Sequence, residues 1–431
     1  MTNSETKNFS QNVSSSYHLE DRGKCNKNAC ANARNVPKLR FKGYNYEWKK
    51  VKLKDICIDF IVPMRDKPKE FNGNIPWCRI EDIEGNYFNG TKSNQYVSQE
   101  TIDKMNLKII PTGSVICSCS ASLGTYAINT CPIITNQTFI GLVCSEKISN
   151  HFLLNLMNTQ TRKLKIIAGG TTIPYISREK FEEYNIKIPS LPEQEKIASF
   201  LTLIDKKIEK QKELVELLKK YKRGLLSAIF SQKMRFKDDN GNNYPAWEEK
   251  RLGDICKIVG GGTPDTNNVK YWGDDINWFT PTEIIKKYAD SSNRKISRLG
   301  LLKSSAKILP IGTVLLTTRA TLGEMSILSI EATTNQGFQS LIPVKDEVSS
   351  EFIYYCQPII KHFCYKYANG STFLEISKQT LAKLKLMIPN KDEQNKISDF
   401  LSKFDNKIQQ EECILSNLKT YKKGLLQQMF I

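Results

Sequence analysis

The chain has 431 residues, of which 40% are hydrophobic and 25% are charged, a composition typical of a folded globular protein. Its 63 Lys and Arg residues outnumber 45 Asp and Glu residues, and the resulting net charge of +18 favours a polyanionic partner, most simply nucleic acid. The length predicts more than one domain, and the lack of any stretch of 18 apolar residues argues against a membrane span.

The cysteines and the first residues predict a cytoplasmic protein. The N-terminus has no apolar signal core, so export is not expected. The 12 Cys residues lack the spacing of a disulfide framework, and neither close pair, Cys25 with Cys30 or Cys117 with Cys119, has a plausible second pair for zinc. We therefore expect reduced thiols and no metal site.

Residues 1–36 are rich in Asn, Ser, Lys and Cys and show no apolar period, which predicts a mobile tail or extension. The folded body is predicted to begin near Lys38-Leu39-Arg40-Phe41-Lys42, a motif that returns as Lys233-Met234-Arg235-Phe236-Lys237. A Trp, a Leu and an Asp-Ile-Cys triplet follow in both copies, so the sequence contains an internal duplication.

Each copy continues as a predicted mixed α/β module, in which short β-branched runs alternate with Gly, Pro and Asn turns. Shared positions are mainly Gly, Pro and aliphatic residues, which indicates a common scaffold. The segments 62–94 and 258–295 have diverged apart from Trp77 and Trp278 and an acidic residue followed by Ile. One scaffold with two variable surfaces is typical of two related modules that recognise different ligands.

A long helix is predicted after each module. Residues 191–230 match residues 391–430 without a gap, and apolar residues step alternately by four and three, the 3.5-residue period of a coiled coil. Each helix spans roughly 38 residues, or about 57 Å. The predicted seam positions are Ile197, Leu201, Ile204, Ile208, Gln211, Val215, Leu218 and Leu225 in the first helix, and Ile397, Leu401, Phe404, Ile408, Glu411, Leu415, Leu418 and Leu425 in the second.

Both apolar rows are interrupted at matching positions, at Gln211 and Glu411 and again at Lys222 and Lys422. Polar seam residues reduce stability but fix register, so the matched interruptions predict that the two helices pair with each other. If the helices lie antiparallel about a pseudo-dyad, Gln211 and Glu411 fall near mid-length and near each other. The alternative is two ordinary amphipathic helices packed on separate domains.

Motifs for catalysis are weak. The three His residues, His18, His151 and His362, share no equivalent position, and no phosphate-binding Gly-x4-Gly-Lys-Ser/Thr motif is present. The Gly260-Gly261-Gly262 run predicts either a close backbone approach or a plain turn. Asp265, Glu283 and Lys286 faintly resemble a nuclease arrangement, but one gap is a residue too long and the first half does not repeat it.

The duplicated arrangement resembles the specificity (S) subunit of bacterial type I restriction-modification enzymes over about residues 38–431. The resemblance rests on the segments 186–201, 386–401, 221–230 and 421–430, and on the Gly-Gly-Thr-Pro loop with Tyr271-Trp272-Gly273 and Trp278. The 36 residues before it depart from the usual short start, and leave open whether the natural initiation site lies downstream.

The resemblance implies two target-recognition domains joined by two helices that pack as an antiparallel coil. The expected organisation is a polar tail at 1–36, recognition domains at 37–189 and 233–389, and spacer helices at 190–232 and 390–431. Each domain is expected to recognise one half of a bipartite double-stranded DNA target. The S subunit itself has no active site and binds no cofactor. Two methyltransferase (M) subunits use S-adenosylmethionine, and restriction (R) subunits use ATP and Mg²⁺.

Base edges are reached by polar side chains on loops, while Lys and Arg contact phosphates. The candidates in the first half are Arg65, Lys67, Lys69, Arg79, Ser120, Asn136, Gln137, Thr171 and Thr172. Those in the second half are Thr263, Lys270, Thr280, Arg319, Asn335, Gln336, Ser371 and Thr372. The Asn-Gln pairs occur in both halves and are expected to hold the scaffold or phosphates, whereas Arg319, which replaces Ser120, is the better specificity candidate.

Two other functional classes stay open at this point. A stand-alone architectural or regulatory DNA-binding protein would use the coil for dimerisation, and would bind no methyltransferase. An autonomous nuclease would cut DNA unaided in the presence of Mg²⁺.

Overall fold

The computed structural model describes residues 19–21, 35–64, 66–120, 122–169, 174–319, 321–369 and 374–431. The chain divides into two compact units, a first unit of residues 1–216 with 410–431 and a second unit of residues 217–409. Each unit contains one mixed α/β module together with part of each long helix.

The first unit is built mainly from short strands. Its strands are β1 (Leu19–Asp21), β2 (Leu39–Phe41), β3 (Lys49–Lys52), β4 (Cys57–Ile61), β5 (Ile75–Cys78), β6 (Ile83–Glu84), β7 (Tyr87–Phe88), β8 (Tyr96–Val97), β9 (Val115–Ser118), β10 (Tyr126–Asn129), β11 (Ile134–Thr135), β12 (Phe139–Cys144) and β13 (Asn185–Ile188). Its helices are α1 (Gln99–Met105), α2 (Asn150–Ile167), α3 (Arg178–Glu182) and the start of α4 (Leu191–Phe230), with 3₁₀ turns at Leu53–Asp55 and Ile80–Asp82.

Two sheets form the frame of the first module. A six-stranded sheet has the order β4-β12-β9-β10-β7-β6, and a three-stranded sheet has the order β11-β5-β8. Strands β9 and β10 are buried on both faces, which explains their continuous apolar runs. Helix α2 starts at the Ser149 cap and buries Phe152, Leu153 and Met157 in the main core.

Part of the predicted tail is ordered. Strand β1 pairs antiparallel with β2, with Glu20 opposite Arg40. The prediction of a mobile extension is therefore wrong for Leu19–Asp21, because the backbone of these three residues forms a two-stranded sheet with β2. The rest of that predicted extension, residues 1–18 and 22–34, lies outside the described residues.

The second unit repeats this plan. Its strands are β14 (Glu248–Arg251), β15 (Cys256–Gly260), β16 (Trp272–Phe279), β17 (Tyr288–Ala289), β18 (Arg294–Ile296), β19 (Val314–Leu316), β20 (Met325–Leu328), β21 (Thr333–Thr334), β22 (Gln339–Pro343) and β23 (Lys385–Ile388). Its helices are α5 (Leu252–Ile255), α6 (Arg298–Leu302), α7 (Ser350–Tyr355), α8 (Gln357–Tyr367), α9 (Lys378–Ala382) and the start of α10 (Lys391–Met429), with 3₁₀ turns at Val269–Tyr271 and Pro281–Glu283.

The sheets of the second module correspond to those of the first. A five-stranded sheet has the order β15-β22-β19-β20-β17, and a three-stranded sheet has the order β18-β16-β21. In both modules the central strand of the smaller sheet carries the repeated tryptophan, Trp77 on β5 and Trp278 on β16, and both side chains are buried. The duplication seen in the sequence is therefore a duplication of fold.

A Glu-Gln motif near the start of each long helix, Glu193-Gln194 in α4 and Glu393-Gln394 in α10, anchors that helix to its module. Glu193 forms a two-point ion pair with Arg40, with both distances 2.7 Å, and the two side chains are almost fully buried. Glu393 makes the same pair with Arg235 at 2.8 Å and also accepts from Trp247 Nε1. This geometry explains why the Arg-Phe motif and the Glu-Gln motif recur together, since a buried carboxylate requires a paired cation.

The long helices run antiparallel within each unit, as predicted. In the first unit Asp205 of α4 pairs with Lys422 of α10, and Gln211 contacts Glu411. In the second unit the Tyr221 and Phe404 rings lie 5.7 Å apart. The buried positions of the predicted seam are Ile197, Leu201, Ile204, Val215 and Leu225 on α4, and Ile397, Leu401, Ile408, Glu411, Leu418 and Leu425 on α10.

Candidate nucleic-acid interface

Four segments of the second unit meet at one end of its sheets. We call them the second loop cluster, which comprises residues 261–263, 279–283, 317–319 and 335–338. Gly262 N donates to Thr334 O, Asn335 N to Phe279 O and Thr318 N to Gly337 O, at 2.7 to 3.1 Å. Because the parallel strands β16 and β21 end side by side, the residues that follow them, Thr280 and Asn335, lie together.

Glycine is required where the 261–263 segment passes close to neighbouring backbone. A Cβ atom added to Gly261 would lie 2.0 Å from Asn335 O, and one added to Gly262 would lie 2.4 Å from Ala306 N. These gaps are too short for any side chain. The glycine run therefore permits a close backbone approach, one of the two sequence-based interpretations, and does not form a plain turn.

The first unit has an equivalent first loop cluster, which comprises residues 78–82, 118–120, 135–138 and 175–176. Cys119 N donates to Thr138 O at 2.8 Å, and Ile176 N donates to Cys119 O at 2.9 Å. Cys78 pairs with Thr135, so Arg79 and Asn136 follow the ends of adjacent strands. The two clusters thus share their backbone arrangement.

Most described candidates of the second half lie in the second loop cluster. Thr263 Oγ1 donates to Gln336 Oε1 at 2.5 Å, and Thr280 Oγ1 donates to Glu283 Oε2 at 2.7 Å. Arg319 lies 2.7 Å from Glu375, and both side chains are substantially exposed. Outside this cluster, Lys270 lies on a 3₁₀ turn whose backbone accepts from Ser297 Oγ, and Ser371 and Thr372 lie outside the described residues.

In the first half, Arg79, Ser120, Asn136 and Gln137 belong to the first loop cluster. Lys67 and Lys69 are exposed on the segment after β4, where Lys67 Nζ lies 5.5 Å from the centroid of the Phe71 ring. The candidates outside the described residues are Arg65, Thr171 and Thr172.

The repeated asparagines shape the turns. Asn136 Oδ1 accepts from Thr138 N and Thr138 Oγ1, and Asn335 Oδ1 accepts from Gly337 N at 2.8 Å. An asparagine whose carbonyl oxygen folds its own turn presents less of its side chain to a ligand. This arrangement agrees with a scaffold contribution at Asn136 and Asn335.

An acidic residue follows the central strand of each smaller sheet and accepts hydrogen bonds from two separate loop segments. Asp82 accepts from Arg79 N and Lys92 N, both at 2.7 Å. Glu283 accepts from Thr280 N at 2.7 Å and Asn293 N at 2.6 Å. Asp82 and Glu283, which occupy equivalent positions in the two halves, therefore hold the same loop in place in both modules.

Thiols near the first loop cluster are not activated. Burial raises the pKa of Cys119 to about 11, and burial together with Asp82 raises the pKa of Cys78 to about 12. Both thiols are therefore protonated at neutral pH and are poor nucleophiles. Across the described residues, no three His, Cys, Asp or Glu side chains cluster so as to hold a metal ion.

Two polar residues at the clusters were absent from the sequence candidates. Gln95 precedes β8 and accepts at Oε1 from Arg79 Nη2 at 2.7 Å. Arg294 begins β18 and stacks on Trp272, with its guanidinium carbon 3.6 Å from the ring centroid. The nearby segments differ in length between the halves, so direct alignment hid their equivalence.

A protein-family model described as the type I restriction modification DNA specificity domain matches residues 45–219 and again residues 245–420. The chain belongs to this family. The two matches fall one on each copy of the duplication and together cover most of the sequence. None of the described helices combines the length and hydrophobicity that crossing a lipid bilayer requires.

Several curated proteins are similar to parts of this specificity-domain chain. The MjaIX specificity subunit of Methanocaldococcus jannaschii is 36% identical over 194 residues, which are 44% of this chain and 45% of that protein. The EcoR124I/EcoR124II specificity subunit of Escherichia coli is 27% identical over 217 residues, 47% of this chain and 53% of that protein. This chain thus spans about half the length of these two relatives.

Solved structures resemble the fold over nearly the whole chain. The type I restriction-modification S subunit from M. genitalium matches with a TM-score of 0.54 at 18% identity, covering 92% of this chain and 99% of that one. A chain from a structure concerned with complex assembly and conformational transition of the type I R-M system matches with a TM-score of 0.58 at 19% identity, covering 90% and 98%. At these identities the likeness establishes the fold alone.

Proposed function

We propose that this chain is the DNA-specificity subunit of a type I restriction-modification complex. The module within residues 37–189 recognises one part of a bipartite double-stranded DNA target, and the module within residues 233–389 recognises the other. The helices at 190–232 and 390–431 set the spacing and dock the methyltransferase subunits. Family membership, the net charge of +18 and the duplicated fold support this proposal.

The observation that carries the proposal is a shared frame with different polar side chains. The acid at 82 and 283 and the asparagine at 136 and 335 keep their contacts in both modules. On that frame Arg79 is replaced by Thr280, and Ser120 by Arg319. A reader of two different half-sites needs this combination, because loop position must be kept while base contacts change.

The reactive machinery is assigned to partners. A duplicated chain has pseudo-two-fold symmetry, which suits the binding of two identical M subunits. Those subunits would carry S-adenosylmethionine, and R subunits would carry ATP and Mg²⁺, so this chain would supply no catalytic residue. This assignment rests on the family and on the duplication.

The test begins with adenine methylation in host cells. Genomic methylation would be mapped with the gene present, deleted and restored. We expect one bipartite methylated sequence that disappears on deletion and returns on restoration. A methylation pattern that does not respond to the gene would contradict the proposal.

The second stage uses the purified full chain with duplexes carrying the mapped sequence. Scrambling either half should weaken binding, whereas scrambling the spacer at constant length should not. Tight binding with no methyltransferase partner in cells would favour a stand-alone DNA-binding protein. Mg²⁺-dependent cutting by the pure chain would favour a nuclease.

A further inference from the structure

Gln95 and Arg294 occupy the same position in the two modules. Arg294 lies opposite Trp278 in the antiparallel pairing of β16 with β18. Gln95 lies opposite Trp77, since Trp77 N donates to Gln95 O at 2.8 Å and Ile75 and Pro76 pair with Val97 and Tyr96. The two residues are 199 positions apart, whereas Trp77 and Trp278 are 201 apart.

The residues that follow confirm this equivalence. Three positions after Gln95 and Arg294 stand Ser98 and Ser297, and each serine caps the next helix through its side chain. Two positions after Gln95 and Arg294 stand Val97 and Ile296, and both of these side chains are fully buried. Both residues therefore sit at the start of an edge strand, pinned between a buried aliphatic residue and the loop cluster.

Arg294 is held by its aromatic surroundings. Its guanidinium carbon lies 3.6 Å from the Trp272 ring centroid and 5.7 Å from that of Trp278, and the two indoles pack edge to face at 5.0 Å. Each indole N–H donates to a backbone carbonyl, Trp272 to Asp265 and Trp278 to Gly262. The two indole rings that surround Arg294 are thereby held against the backbone of residues 262–265.

Stacking uses the face of a guanidinium and leaves its N–H edge available. Within the described parts of the chain, no acidic side chain forms an ion pair with Arg294, which is exposed. Arg319 differs in this respect because its guanidinium already forms an ion pair with Glu375. Arg294 is therefore a preorganised donor pair at the edge of the second loop cluster.

Gln95 is oriented in another way. Arg79 Nη2 donates to its Oε1 at 2.7 Å, which directs the carboxamide and leaves the Nε2 amide as a donor and the second lone pair of Oε1 as an acceptor. The aromatic residue six positions before each tryptophan is also matched, with Phe71 beneath Lys67 in the first module and Trp272 beneath Arg294 in the second. In the second module the cation over this aromatic residue is the edge-strand residue itself, whereas in the first module Lys67 takes that place and the edge-strand residue is the uncharged Gln95.

We propose that Gln95 and Arg294 are equivalent base-contacting residues, one for each half-site, and that they set which purine each module prefers. Arg294 donates to O6 and N7 of a guanine, and Gln95 donates to N7 and accepts from N6 of an adenine, because these are the bidentate pairings that each side chain allows in the major groove. This inference rests on the proposed function and goes beyond it by naming the discriminating position.

The experiment is selection from a library of random duplexes by the full-length chain, followed by binding measurements on the selected sequence. The wild-type chain is expected to select a bipartite consensus. Arg294→Ala should lose roughly tenfold to a hundredfold discrimination at one G·C pair in one half, with the other half unchanged. Gln95→Ala should do the same at one A·T pair in the opposite half.

Two further variants address folding and charge. Arg298→Ala removes the same charge four residues further along the exposed side of the same unit, and should leave the consensus unchanged. Gln95→Arg should change the preference at its position from adenine towards guanine, a gain that an unfolded protein cannot produce. Thermal unfolding of each variant accompanies the selection.

The outcomes separate the two proposals. If the wild-type chain selects no sequence, the proposed function fails and this inference falls with it. If the wild-type chain selects a consensus that both alanine variants retain, only this inference is overturned. An equal loss of affinity for all sequences with a shallower salt dependence would assign Arg294 to a phosphate and would also overturn it.

Discussion

Lys422 Nζ lies 2.5 Å from Asp205 Oδ1, and the duplicated chain repeats this pair as Lys222 with Asp405. The second carboxylate oxygen of each aspartate bonds to the adjoining module, Asp205 to Asn86 and Asp405 to Tyr355. The lysines that interrupt the apolar rows are therefore paired across the coil. Each aspartate links two helices and one module within its own unit.

Replacing one partner should expose the energetic role of this pair. Lys422→Met should lower the free energy of unfolding by about 1–3 kcal/mol, because it leaves a partly buried carboxylate without its cation. Urea denaturation of the variant and of Lys423→Met, which changes an exposed neighbour, provides the measurement and its control. A double-mutant cycle with Asp205→Asn that gives a coupling below about 0.3 kcal/mol would contradict the expectation.

The Gln211–Glu411 contact should behave as a polar interruption of an apolar seam. Gln211 Nε2 donates to Glu411 Oε2 at 2.6 Å, and Glu411 is buried. The double replacement Gln211→Leu with Glu411→Leu should raise the unfolding free energy by about 1–3 kcal/mol. Gln211→Leu alone should lower it by about 1–3 kcal/mol, since the buried carboxylate loses a donor. If the single and double variants shift the denaturation midpoint in the same direction, the interpretation is wrong.

Arg319 offers a test with variants on both sides of an ion pair. Arg319→Ala is expected to weaken binding to one half-site by about 1–3 kcal/mol and to leave the other half unaffected. Glu375→Gln should strengthen binding to the same half-site, because it releases the guanidinium from its intramolecular partner. Lys303→Ala, at an exposed position of the same unit, is the matched control. Equal losses at both half-sites in duplex-binding titrations would count against Arg319 as a specificity residue.

His151 should make the first unit sensitive to mild acid. Burial and the nearby Lys206 lower the pKa of His151 below its usual value of 6.5, and its ring contacts Tyr87 OH and Asn150 Oδ1. The unfolded state therefore binds more protons around pH 6, so stability is full above pH 6.5 and declines as the pH falls below it. Thermal midpoints at pH 7.5 and 5.5 should differ more for the wild type than for His151→Gln. The exposed His362→Gln should retain the wild-type difference, and an identical loss in both variants would refute this assignment.

The sequence by itself determined the duplicated plan. An unbroken repeat at a spacing of 200 residues and a 3.5-residue apolar period are local patterns, and helices form from local patterns. The two modules, their long helices and the pairing of those helices follow from such signals, whereas the antiparallel direction was implied by the family resemblance. The glycine run at 260–262 left two interpretations open, a close backbone approach and a plain turn, and only the packed structure decided for the close approach.

The tertiary structure decided which side chains meet. Lys422 with Asp205, Arg319 with Glu375 and Arg294 with Trp272 are separated by many residues, and no periodicity specifies such pairs. The equivalence of Gln95 and Arg294 depends on strand register, which is set by pairing across the sheet and shifts wherever a loop gains or loses residues. A pattern along the chain determines which face of an element is buried, but only the packed sheets determine what lies opposite it.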